Sequence, residues 1–115
     1  MKAAAMDKHI TASKMQHIYT EAKAAGDAAV KNSRDSMPCG FAWIVIKPAR
    51  GDFVKYCKAN KIGKTDEYAG GYRISSYDAC AWHGQNMDVK IQGCQAFVDV
   101  LVKNSINAYV DNRMD

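Results

Sequence analysis

Apolar and polar positions along the chain alternate between a helical and a strand period, and the order of those stretches predicts the architecture. In the first 35 residues Met15, Ile18, Tyr19, Ala22, Ala25 and Ala29 recur at spacings of three and four, which is one face of a helix. Asp7 or Thr11 is placed to cap its start. The stripe is narrow and rich in alanine, so it allows close approach but buries little area. It suits an ordinary packed helix, a loosely docked arm or an oligomer contact. Met37-Pro38-Cys39-Gly40 ends the helix, because the residue before proline avoids helical backbone and a glycine follows.

Phe41 to Ile46 carries aromatic and β-branched residues at both parities, the pattern of a central strand covered on both faces. After the loop Lys47 to Gly51, Asp52 is placed to cap a short helix over 53–60. Phe53, Val54 and Cys57 form its apolar side, and Lys55, Lys58 and Lys61 point away. Residues 63–71 are polar and glycine-rich and read as a connection. Tyr72 to Tyr77 alternates, with Tyr72, Ile74 and Ser76 on one face, and reads as a second strand. A loop from Asp78 to Gln85 leads to the clearest helix. It is capped by Asn86 and carries a stripe of Met87, Ile91, Cys94, Val98 and Leu101, widened by Phe97 and Val102. Gly93 inside it costs about 1 kcal/mol relative to alanine and implies close backbone packing. Ile106, Ala108 and Val110 then alternate as a third strand. The tetrapeptide Val-Lys-Asn-Ser, at 30–33 and again at 102–105, falls at two helix ends and reflects shared capping chemistry.

The expected fold is α/β in a single domain, 1–115. A helix over 1–35 precedes a β-α-β-α-β core over 37–115, a three-stranded sheet packed by helices. Each crossover exceeds a dozen residues, enough to return the next strand parallel to the last.

Composition bounds the class. A chain of 115 residues with 48% hydrophobic and 24% charged residues is an ordinary globular domain, which excludes intrinsic disorder. The start, MKAAAMDKH, has no apolar core of a secretory leader, and the longest apolar run, Phe41 to Ile46, is far short of a membrane span. The expectation is a cytoplasmic protein without membrane contact. Its four cysteines, at 39, 57, 80 and 94, are then free thiols filling space as small hydrophobes. The net charge is +4, and the segment from Lys47 to Lys64 alone carries +5, from Lys47, Arg50, Lys55, Lys58, Lys61 and Lys64 against Asp52.

If the first two strands are parallel, two loops meet at one sheet edge, where ligands of parallel sheets gather. One brings Lys47, Arg50 and Gly51. The other brings His83, Gly84, Gln85 and Asn86, and Lys90 lies one turn into the following helix. Cations, amides and helix N-termini together suit an anionic ligand or a partner's carboxylate. Neither loop has phosphate-loop spacing, so both also read as plain turns and caps. Lys55, Lys58, Lys61 and Lys64, with Tyr56, Tyr68 and Tyr72 nearby, form a second candidate, a ridge for nucleic acid. Cys80 and His83 are a weak candidate for a nucleophile and its base, and Asp78 and Asp88 weaker ones for a carboxylate base. No metal site is expected, since Cys80 and His83 lack a second close pair and His9 and His17 are eight residues apart. No cofactor is expected. Trp43 reads as core, and Trp82 as loop packing or an anchor for a partner.

The block Met37-Pro-Cys-Gly-Phe-Ala-Trp-Ile-Val-Ile, the pair Gly70-Gly71, the opening Gly84-Gln85-Asn86-Met87 and the closing Arg113-Met-Asp resemble small uncharacterised proteins of tailed bacteriophages, over about residues 37–115. The resemblance implies a phage source and the host cytoplasm as workplace, and it carries over no catalytic residue. Together these features lead to the expectation of a non-catalytic accessory binding module. Its target would be a host protein or a small anionic, nucleotide-like ligand. Nucleic-acid binding and a small enzyme are the alternatives, and the first helix is a candidate homo-oligomer contact.

Overall fold

The computed structural model describes residues 2–115, with side chains from Ile10 onward. The elements in chain order are α1 (Lys2–Val30), β1 (Gly40–Ile46), α2 (Asp52–Ala59), β2 (Lys64–Thr65), β3 (Tyr72–Ser75), α3 (Ser76–Ala79), α4 (Met87–Lys103) and β4 (Ala108–Met114). The four strands form one sheet in the order β2-β3-β1-β4. Every neighbouring pair is antiparallel, with Trp43 opposite Ser75 and Asp111, and Ile46 opposite Tyr72 and Ala108.

The mixed α/β class is as expected, but the sheet has four strands rather than three and its neighbours are not parallel. The missing strand is β2, inside the glycine-rich connection. From β1 through α2 the chain does return parallel, but into β2, one place removed in the sheet. A hairpin then reverses it into β3, which fills the gap. The same happens from β3 through α4 to β4, with β1 in between. The result is two interlocked split β-α-β units. The hairpin is closed by Asp66, whose Oδ1 accepts from the amides of Tyr68 and Ala69 at 3.0 Å each.

The helices lie on one face of this sheet. Ala42, Ile44 and Ile46 of β1 and Tyr72 and Ile74 of β3 join Phe53, Val54, Cys57, Cys94, Phe97, Val98 and Leu101 in the main core cluster. The stripe of α4 is centred on Met87, Lys90, Cys94, Phe97 and Leu101, slightly rotated from the sequence reading, and Val102 is exposed. Asn86 caps α4 as expected, its Oδ1 accepting from Val89 N at 2.9 Å. At α2 the cap position is Gly51, without a side-chain bond, and Asp52 is the first helical residue. The second strand stops at Ser75, because the Ser75 side chain accepts from Tyr77 N and starts the short helix α3.

Asp7 and Thr11 lie inside α1 rather than at its start. From Met15 to Val30 the helix is seated against the rest of the chain. Met15, Ile18, Ala22 and Val30 are buried, Tyr19 Oη donates to the Asp78 carbonyl at 3.1 Å, and Glu21 meets Lys103 at 2.8 Å. This stretch is thus an integral layer of the domain and not a loose arm. Its stripe drifts, as a straight 3.6-residue helix must, so that Ala29 is exposed while Gly26 and Val30 face inward. No helix among the described residues is long and apolar enough to cross a membrane.

Candidate functional site

The expected two-loop site is not assembled. β1 and β3 are antiparallel, so the loops that follow them leave from opposite ends of the sheet. Gly84, Gln85 and Asn86 sit where β1 begins: Gly40 N donates to Gln85 O at 3.1 Å, and Cys39 bridges to Asn86. Lys47, Arg50 and Gly51 sit where β1 ends, roughly 20 Å away at a strand's rise per residue, beside Asn107, whose Nδ2 donates to Lys47 O at 3.0 Å. The amides at the start of α4 do hold an anion, but one from within the chain. Asp35 Oδ1 accepts from Gln85 N at 3.0 Å and from Asn86 N at 2.9 Å. The donor chemistry was legible in Gly84-Gln85-Asn86, whereas its acceptor, fifty residues upstream, was not.

Lys90 does not face an anion site either. Only 1% exposed, it donates from Nζ to Gly40 O at 2.7 Å, between the rings of Phe41 (5.2 Å) and Tyr77 (5.5 Å). Its place on the buried stripe, three residues after Met87 and four before Cys94, was the available signal.

Cys80 and His83 are also kept apart in environment. Cys80 is fully buried, its thiol directed at Ser76 O (3.4 Å) and packed on Gly93. Burial pushes this thiol above its ordinary value. His83 is exposed and stacks on Tyr77 with ring centroids 6.1 Å apart. A raised thiol with no base against it is a poor nucleophile. Asp78 is half-buried and Asp88 exposed. His17 is exposed, and the side chain of His9 lies outside the described residues. No group of three or more metal-ligating side chains comes together among the described residues. Trp82 is half-buried against Val30, Cys80 and Val89.

Of the other cysteines, Cys57 and Cys94 are fully buried and Cys39 is partly exposed. A thiol reagent should therefore titrate one group rapidly in the native protein and four in denaturant. The rapid phase should vanish in Cys39→Ser. A native stoichiometry of two or more would show that the helical layer over the sheet opens readily.

The lysine ridge divides. Lys55 lines a groove between α1 and α2, whereas Lys61 and Lys64 turn to the other side of the molecule and border the sheet.

There the structure has a surface the sequence did not announce: the sheet face opposite the helices. Side chains alternate across a strand, so while Ala42, Ile44 and Ile46 enter the core, Phe41, Trp43 and Val45 stand on the other face of β1. Register places Arg73 and Ser75 of β3 and Tyr109, Asp111 and Arg113 of β4 beside them, with Lys64 next to Arg73. Phe41 is 46% exposed, Tyr109 44% and Tyr77, at the rim, 47%. The Arg73 guanidinium lies 4.0 Å from the centre of the Trp43 ring and pairs with the Asp66 carboxylate at 3.7 Å. Trp43 is thus half-buried beneath an arginine rather than in the core. Phe41, Trp43, Lys61, Lys64, Arg73 and Tyr77 border an open cleft of about 400 Å³. Apolar residues at both parities of β1 had read as two covered faces. The outward residues of β1 itself are apolar, but no helix covers them.

Comparison with protein-family models, curated proteins and solved structures finds no match. The chain is therefore defined by its own geometry: a small α/β domain of two split β-α-β units, with helices on one sheet face and aromatic and cationic side chains on the other.

Proposed function

We propose that the protein is a non-catalytic binding module that takes single-stranded nucleic acid on the open face of its sheet. The supporting observation is the co-location of exposed aromatic rings and guanidinium groups on the two central strands and β4, with the ammonium groups of Lys61 and Lys64 at the β2 margin. Flat aromatic rings stack on bases of any sequence, and cations alongside follow the phosphates. Arg73 over Trp43 offers both functions at once, a planar stacking surface and a charge. Around this face and its cleft, Lys61, Lys64, Arg73 and Arg113 stand against Asp66, Asp78 and Asp111, a small positive excess. A duplex has its bases stacked away and offers these rings little to stack on. An anionic ligand held jointly by Lys47, Arg50, His83, Gln85 and Asn86 loses its geometric basis.

The test is fluorescence anisotropy of a labelled mixed-sequence single-stranded oligonucleotide at low salt, beside the same sequence as duplex. Phe41→Ala and Tyr109→Ala are each expected to weaken single-strand binding about tenfold, the worth of one stacked base. Lys55→Glu with Lys58→Glu, on α2, should change it much less. Absence of binding at low salt, or loss confined to the α2 variant, rejects this reading.

A further inference from the structure

The outer edge of β4 has a defined pattern of free backbone groups. Asp115 N donates to Cys39 O and Lys47 N to Asn107 O, both at 3.2 Å. The odd-numbered residues of this strand therefore spend their amides and carbonyls on β1, and in an antiparallel ladder the even-numbered ones turn theirs outward. Ala108, Val110, Asn112 and Met114 thus present donors and acceptors along a seven-residue strand at the sheet margin. The strand Ala-Tyr-Val-Asp-Asn-Arg-Met contains neither proline nor lysine, the usual devices that blunt an edge. The outward amide of Asn112 is held by the Asp111 carboxylate at 2.8 Å. Met114, on the helix side of the strand, is 63% exposed.

We propose that a second copy of this chain pairs here, β4 against β4, antiparallel about a two-fold axis at Asn112. Parity permits this register, since it sets outward-facing residues opposite each other: Asn112 on Asn112, and Val110 on Met114. Side chains select it. Asp111 of each copy then faces Arg113 of the other in a close, non-hydrogen-bonded pair, giving two reciprocal ion pairs, and each exposed Met114 is covered by a valine. Centring on Asp111 would set carboxylate against carboxylate at the closest spacing of the ladder. Centring on Val110 would leave Arg113 facing Asn107. On pairing, the Asp111 carboxylate leaves the Asn112 amide for Arg113 of the second copy, and that amide enters the new ladder. The four strands of each copy become one continuous sheet with both open faces on the same side. This inference does not rest on the nucleic-acid reading and is tested without nucleic acid.

The experiment is light scattering on nuclease-treated protein at high micromolar concentration, for the wild type, Asp111→Arg, Arg113→Asp and the double exchange. Both positions are exposed, and circular dichroism checks that each variant keeps its fold. The wild type is expected at twice 12.7 kDa, each single variant at 12.7 kDa, and the double exchange again at twice that mass. A monomeric wild type overturns the proposal, as do dimeric single variants. A natively folded double exchange that stays monomeric overturns the register.

Discussion

Replacing Gly26 by alanine should destabilise the protein by about 2–3 kcal/mol, the cost of forcing an extra carbon into a packed contact. The same exchange at an exposed helical glycine should stabilise by about 1 kcal/mol, because alanine is the better helix former. The difference lies in what Gly26 touches. A Cβ there would come within 2.2 Å of the Ala79 carbonyl oxygen and 3.2 Å of Cys80 Cβ. The obstacle is backbone, so α3 would have to withdraw from α1 by about an ångström to restore van der Waals distance. Withdrawal stretches the bond from Tyr19 Oη to Asp78 O, and it loosens Cys80 from Gly93, where a Cβ would meet the thiol at 2.4 Å. Thermal denaturation of Gly26→Ala should show a midpoint lower by roughly 10 °C. An unchanged or raised midpoint would mean that α1 does not bear on α3 in solution.

The second large effect is alkaline. Burial pushes the Cys57 and Cys94 thiols from 9.0 up to about 12, and partial burial, with Asp78 nearby, pushes Tyr19 from 10.0 to about 12. In the unfolded chain these groups release their protons near their ordinary values, while the folded chain keeps them. Above pH 9 the folded state therefore binds more protons, and stability falls as pH rises. The contribution is fully present below pH 9 and disappears on the way to pH 12. Each thiol should remove about 1.4 kcal/mol per pH unit once the unfolded form ionises. Urea midpoints at pH 8, 9 and 10 should drop progressively, and Cys57→Ala with Cys94→Ala should flatten that slope while lowering the whole curve. A double variant with the wild-type slope would assign the alkaline loss to other groups.

How much of this was legible in the sequence depended on how local its cause was. The Asn86 cap, the apolar side of α2, the shared face of Tyr72 and Ile74, and the tight packing at Gly93 follow from spacing within one element, and all appear where the spacing puts them. The direction of the strands did not follow, because it turned on two residues, Lys64 and Thr65, too few to carry a period. Asp66 followed by Gly70-Gly71 was the usable sign of the hairpin, through side-chain acceptance by Asp66 and a turn closed by glycines. The site was less legible still. Trp43 and Phe41 look like core by residue type, and only the placement of every helix on one side makes them surface. The partition of the lysines between the α1–α2 groove and the sheet margin likewise depends on how Lys61 and Lys64 leave α2.

The bonds from Asp35 to Gln85 and Asn86 also bear on competition. A carboxylate tethered by the polypeptide acts at an effective concentration of millimolar or more at its own amides. A free phosphate or a nucleotide in solution would have to outbid a resident that never diffuses away. The start of α4 is consequently self-saturated. Raising salt or phosphate should leave that corner unchanged, while any electrostatic binding on the sheet face weakens around it.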